Sequence, residues 1–221
     1  MQRLRALAVI VATLALGAGP LAVVRVDDWE SHGEGRLSFS GTWQPYPRSA
    51  PADLKYPPAI LLDDGRRVLR LKTDHESVKI GRAMQVDVAA TPWLTWEWKA
   101  LILPQGGDVR QPRRNDQAAR VMLMFEGMKA IVYIWDTTAP VGHETSPDGF
   151  GQLLERVLVV VRSGESGLSQ WHRERRNVLN DYERLFEAKP GRVKWVGLES
   201  HSDDARSESA ALFGAIRFDV R

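Results

Sequence analysis

The sequence contains no cysteine. That excludes a disulfide framework, zinc–thiolate and iron–sulfur sites, and any cysteine nucleophile. Export stays open, because a chain of 221 residues buries roughly 70% of its unfolded surface on folding and needs no covalent staple. The glycine-rich phosphate loops are also missing. There is no GxGxxG after a strand, no GxxxxGK[ST] and no HExxH, so dinucleotide, P-loop and zincin chemistry have no sequence support. Gly164-Glu165-Ser166-Gly167 falls one residue short of a nucleophile elbow and reads as a tight turn. The histidines at 32, 75, 143, 172 and 201 show no i,i+2 or i,i+4 pair. An excess of charge of one sign is lacking too. The 30 basic residues face 28 acidic ones, and removal of residues 1–22, which hold Arg3 and Arg5, leaves 28 against 28. With no net positive field, nucleic acid is not an expected partner.

What is present begins with residues 1–25. Arg3 and Arg5 precede residues 6–24, a stretch of 19 without charge and rich in Ala, Leu and Val. This has the n-region and h-region of a secretory signal, and it is also long enough to span a bilayer uncleaved. Residues 1–25 are expected to be a signal peptide or membrane anchor, and 26–221 one domain that is periplasmic or secreted. Any membrane contact would run through the N-terminal segment.

After a proline-rich loop at residues 45–58 come about nine short runs of β-branched and aromatic residues, separated by turn signals. They are residues 68–73, 77–80, 83–88, 93–101, 117–126, 130–136, 156–163, 192–200 and 211–220. Gly127-Met128-Lys129 looks like a hairpin connection. Residues 173–188 place Val178, Tyr182, Leu185 and Phe186 at helical spacing, ended by Pro190-Gly191. One helix among many strands cannot supply the crossovers of a parallel α/β sheet. The expected fold is an all-β, antiparallel sandwich with one short helix.

Strand alternation nominates the functional residues. If Ala119, Val121, Leu123 and Phe125 face a core, then Arg120, Met122, Met124 and Glu126 share the other face. Asp116, Glu97 and Glu126 are the candidate partners of Arg120, with Asp116 favoured. Of the eight tryptophans, Trp96 and Trp98 read as core, whereas Trp93, Trp171 and Trp43 lie near strand ends or loops and suit a ligand platform. A binding face assembled from Trp93, Glu97, Asp116, Arg120 and Trp135 is expected, with rings for stacking on sugars and charges for hydroxyls. No cofactor is expected and no metal-ligand set is readable. The nearest approach is the oxygen-rich Asp203-Asp204 with Ser202, Ser207 and Glu208, or Asp27-Asp28, groupings of the kind that take Ca²⁺.

Several segments recur together in a recognisable order. They are Leu94-Thr95-Trp96-Glu97-Trp98-Lys99, Leu103-Pro104-Gln105-Gly106-Gly107-Asp108, Asn115-Asp116-Gln117-Ala118-Ala119-Arg120-Val121 and Val132-Tyr133-Ile134-Trp135. Val160-Val161-Arg162-Ser163-Gly164, Trp171, Arg176-Asn177-Val178, Asp181-Tyr182 and Ser202-Asp203-Asp204 follow, and residues 211–218 close the series. In order and spacing the chain resembles the bacterial family called domain of unknown function 3047, over residues 27–220. The resemblance implies an exported, galactose-binding-like jelly roll and carries over no catalytic residue. Ala215 stands where the pattern has an acid after the glycine.

The leading functional expectation is a non-catalytic module binding saccharide or cell-envelope glycan. One alternative is a glycan hydrolase or lyase with two carboxylates from Glu97, Asp116, Glu126 or Asp136, which would need oxygens about 5–9 Å apart across an open groove. Another is a structural envelope protein with no small ligand.

Overall fold

The alternating runs become fourteen strands in the computed structural model, which describes residues 22–46, 54–146 and 154–221. In chain order they are β1 (Val23–Asp27), β2 (Gly35–Arg36), β3 (Trp43–Pro45), β4 (Ala59–Asp63), β5 (Arg66–Asp74), β6 (Ser77–Val86) and β7 (Trp93–Ile102). Then follow β8 (Ala119–Phe125), β9 (Lys129–Asp136), β10 (Glu144–Thr145), β11 (Glu155–Ser163), β12 (His172–Asn177), α1 (Val178–Phe186), β13 (Val193–His201) and β14 (Glu208–Asp219). They form two sheets. The first runs β12-β7-β14-β5-β4-β2, with β1 also on β14, and the second β10-β11-β9-β8-β13-β6-β3. The protein is an all-β sandwich of the expected class. One pair departs from the antiparallel rule: β11 lies parallel to β9.

The signal or anchor segment falls almost wholly outside the described residues, as do residues 47–53 of the proline-rich loop. The sandwich itself takes in residues 23–25, because β1 pairs with the end of β14. Among the described residues no helix is long and apolar enough to cross a membrane.

Between the sheets lies an aromatic core. Trp96 stacks on Tyr133 at 5.2 Å between ring centroids and meets Trp98 edge-on at 5.3 Å, and Trp98 reaches Trp135 at 6.0 Å. Since Trp96 and Trp98 come from β7 and Tyr133 and Trp135 from β9, these contacts join the two sheets, with specific ring–ring terms added to burial. The β8 alternation is as expected, with Ala119, Val121, Leu123 and Phe125 in the core.

Two expectations about local structure are corrected. Residues 172–177 are an edge strand rather than the start of the helix. Their Arg-Glu-Arg-Arg run offers no apolar i,i+3 or i,i+4 pair to pack, and the helix begins only where the Asn177 side chain accepts the amide of Asn180 as an N-cap. Val178, Tyr182 and Phe186 are buried, and Asp181 accepts the Tyr133 hydroxyl at 2.8 Å and two bonds from Arg176. Gly81, read as a break, sits in the middle of one continuous strand, β6.

Trp43 is core, not a platform. It is 1% exposed, and its indole N–H donates to Asp27 Oδ2 at 2.6 Å. Asp27 also accepts the amides of Asp28 and Trp29, bonds to His32, and has Arg82 beside it. The oxygens of Asp27 are thus committed to protein donors. Burial alone would raise the Asp27 pKa, but the bonds from Trp43, Trp29 and His32 win and hold it below the ordinary value of 3.8. A depressed folded-state pKa stabilises above the unfolded value, and that stability is lost as pH falls through it. Thermal unfolding followed from about pH 5 to about pH 2 is therefore expected to fall more steeply for the wild type than for Asp27→Asn. Equal slopes would show that the carboxylate adds nothing.

Candidate functional site

Strand register sets out the outer face of the second sheet in rows. One row across β6, β13, β8, β9 and β11 is Lys79, Glu199, Arg120, Ile134 and Val160. The next is Gly81, Gly197, Met122, Val132 and Leu158, and the third Ala83, Trp195, Met124, Ala130 and Arg156. The middle row is an apolar strip with charge on one flank and an indole on the other.

Arg120 is opposite Glu199, not Asp116. Its Nη1 lies 3.7 Å from Glu199 Oε2, and Nη2 donates to the backbone carbonyl of Asn115. The expected Asp116 pairing is corrected because register places Glu199 beside Arg120, while Asp116, before β8, turns its Oδ2 to the amide of Ala205 at 2.6 Å. The His201 Nε2 bonds the same Glu199 oxygen at 2.9 Å. Arg120, Glu199 and His201 are all buried. Burial would raise the Glu199 carboxyl, but the His201 bond and the surrounding positive charges pull it down to about 2. Burial, and then the charge of Arg120, push the His201 imidazole down to about 4. Glu199 is thus ionised and accepts from His201 Nε2–H.

Asp116, His201 and Asp203 come together at this end of the sheet, each offering one ligand-type atom within 4.8 Å of the others. Asp116 is fully buried, and its Oδ1 has no hydrogen-bond partner among the described residues. Burial, with the charges of Asp203 and Asp204, raises its pKa. Asp136 pins the loops around this cluster. It accepts the amides of Val109, Thr138 and Ala139 and the side-chain amide of Gln117, so its buried oxygens are all satisfied. Of the oxygen-rich grouping of Asp203-Asp204 with Ser202, Ser207 and Glu208, the two serine hydroxyls are engaged elsewhere. The Ser202 hydroxyl bonds Thr73 inside the sandwich, and the Ser207 hydroxyl accepts the amide of Gln105.

The paired glycines explain the other half of the face. A Cβ on Gly81 would collide with the indole of Trp195, and one on Gly197 would press on the Met122 side chain. Both positions therefore hold other residues' side chains against bare backbone. The Trp195 ring lies over β6, with the Tyr46 ring 6.0 Å away at 48°. Trp195 and Tyr46 are half-buried. The result is an aromatic and thioether floor beside fixed charges.

The remaining nominated residues lie elsewhere. Trp93 and Glu97 sit on β7, on the outer face of the first sheet, so they share no surface with Asp116 and Arg120. The Arg175 guanidinium stacks over Trp93 at 3.8 Å, and Glu97 is held by Arg66 and Arg173. Trp171 lies on that face too, under Arg66 at 4.2 Å, with its N–H on Asp63. Trp135 is in the core, its N–H on the Gly164 carbonyl. The four carboxylates named for an acid–base pair are dispersed. Glu97 is on the other sheet, Asp136 is saturated, and Glu126 follows β8 at the end away from Asp116.

Sequence reasoning missed Glu199, His201, Trp195 and Tyr46. A signal for the first three was there: Trp195, Gly197, Glu199 and His201 alternate with Val196, Leu198 and Ser200, a polar and aromatic face opposite an apolar one.

A family model described as "Protein of unknown function (DUF3047)" matches residues 43–217. The chain belongs to the DUF3047 family. The match spans every residue of the charged cluster and of the aromatic floor, and leaves out only β1 and β2, the N-terminal residues and the last few. No curated protein matches this DUF3047 chain in sequence. Among solved structures it is similar to the xyloglucanase domain of NopAA, a type three effector from Sinorhizobium fredii, in complex with cellobiose. The identity is 11% and the TM-score 0.50, with 86% of this chain and 99% of that one covered. It is also similar to the family 11 carbohydrate-binding module of the cellulase Lic26A-Cel5E of Clostridium thermocellum, at 9% identity and TM-score 0.45, covering 90% and 95%. At 11% identity the likeness to the first of these shows a shared fold alone.

Proposed function

We propose that this DUF3047 protein is a non-catalytic saccharide-binding module, with its ligand lying on the outer face of the second sheet over Trp195 and Tyr46. The observation that carries the reading is the aromatic floor built on Gly81 and Gly197, flanked by the Lys79–Glu199–Arg120 row. A sugar ring has an apolar face for an indole and a rim of hydroxyls for polar groups; the half-buried Trp195 and Tyr46 rings supply the first, and Lys79, also half-buried, supplies a donor for the second. Fold likeness to a domain that has been seen with cellobiose adds an analogy only. The dispersion of Glu97, Asp116, Glu126 and Asp136 favours binding over hydrolysis. Arg3 and Arg5 followed by 19 uncharged residues favour a module that acts outside the cytoplasm.

The test is a glycan array with the full chain, followed by calorimetry on each hit. Trp195→Ala is expected to weaken binding about tenfold or more, the equivalent of losing about 1.4 kcal/mol. Gly81→Ala, which displaces the indole, should weaken it similarly, while Trp93→Ala leaves it unchanged. Absence of any glycan binding, or full affinity in Trp195→Ala, overturns the assignment.

A further inference from the structure

We propose a metal site at the end of the second sheet, formed by Asp116, His201 and Asp203, that takes one divalent first-row transition ion. The inference is independent of saccharide binding and stands or falls without it.

Three features point to a metal. First, ligand atoms from two separate stretches of chain, the residues before β8 and the segment from the end of β13 into the following turn, converge to within 4.8 Å. Second, Asp116 is fully buried, and one of its two oxygens, Oδ1, has no donor among the described residues. A buried carboxylate oxygen without a partner is costly, and a cation is one group that satisfies it. Third, the His201 ring already has the support that a ligating imidazole uses. Its Nε2 is tied to Glu199 at 2.9 Å, which leaves Nδ1 as the nitrogen for a metal. Metal-binding histidines nearly always give their other ring N–H to such a carboxylate or carbonyl, which orients the ring. The backbone is held as well, since the His201 amide donates to the Gln117 carbonyl at 3.0 Å and Asp136 fixes Gln117.

The donor set selects the ion. Calcium takes six to eight oxygens, whereas one imidazole with two carboxylates suits zinc, iron, nickel or copper. Two bonds of about 2.1 Å span at most about 4.2 Å, so binding draws the three side chains together. Asp203 is exposed, with Oδ1 on the Ser77 hydroxyl, and can make that movement. Three protein ligands leave a coordination position open.

The full chain, stripped with EDTA, is titrated with Zn²⁺, with Co²⁺ as a visible-absorbing probe, and with Ca²⁺. One equivalent of Zn²⁺ should bind and raise the melting temperature, and Co²⁺ should give a d–d band. Asp203→Asn is expected to fold as the wild type does and to lose about tenfold or more in Zn²⁺ affinity, and Asp116→Asn to lose at least as much. Failure of Zn²⁺ and Co²⁺ to bind overturns the site, as does wild-type affinity in Asp203→Asn. Tighter binding of Ca²⁺ than of Zn²⁺ overturns the choice of ion.

Discussion

Glu199→Leu is expected to lower the melting temperature by about 6–20 °C. Arg120 is 3% exposed and Glu199 6%. Without the carboxylate, the guanidinium loses the opposite charge 3.7 Å away and keeps, among the described residues, its hydrogen bonds to the Asn115 oxygens, and the His201 N–H loses its acceptor. Breaking a buried pair by deleting one member costs about 3–5 kcal/mol, and each kcal/mol moves the midpoint of a chain this size by about 2–4 °C. Replacing both charges, as Arg120→Met with Glu199→Leu, should recover part of the loss, because an apolar pair of similar volume removes the desolvation cost. Asp116→Asn keeps an acceptor for the Ala205 amide and should change the midpoint little. Calorimetry on the four proteins decides the pairing: a large loss in Asp116→Asn with a small one in Glu199→Leu would restore Asp116 as the partner.

Asp136→Ala should cost about 3–6 kcal/mol, near the top of what single substitutions do. Its carboxylate accepts four hydrogen bonds of 2.7–3.0 Å in a fully buried position. Alanine leaves three backbone amides and the Gln117 amide without acceptors, each at about 1–3 kcal/mol before water enters. Asp136→Asn should be milder, since it retains one acceptor oxygen while turning an NH₂ toward the other donors. Hydrogen exchange gives the specific readout. The amides of Val109, Thr138 and Ala139 should lose protection in Asp136→Ala by more than those of the β7 core. A uniform loss across the protein would mean global destabilisation without a loop-pinning role.

The separation of these two carboxylates in legibility has a physical basis. Asp136 and Arg120 are both visible as charged ends or members of apolar strands, because an alternation of period two shows in sequence which residues share a strand face. The same alternation places Leu94, Trp96, Trp98 and Ala100, and Ala119, Val121, Leu123 and Phe125, correctly in the core. It also yields the sandwich class, since a single short helix cannot supply the repeated crossovers of a parallel α/β sheet. The family resemblance over most of the chain agrees with the matched residues 43–217.

What the alternation cannot contain is the identity of the neighbouring strand. Glu97 and Arg120 look like members of one platform, yet β7 lies in the first sheet and β8 in the second. Glu199 and His201 escape such a reading because they lie far along the chain from Arg120 and meet it only through the β8–β13 register. Gly81 looks like a break because the indole that fills its missing side chain comes from β13. Residues 173–177 look helical because their edge pairing with β7 is a tertiary contact. The sequence by itself determined the face on which each strand residue sits, since that follows from backbone geometry within a strand. Only the tertiary structure decided which faces meet, because cross-strand hydrogen bonds and burial join residues whose distance along the chain carries no information about their distance in space.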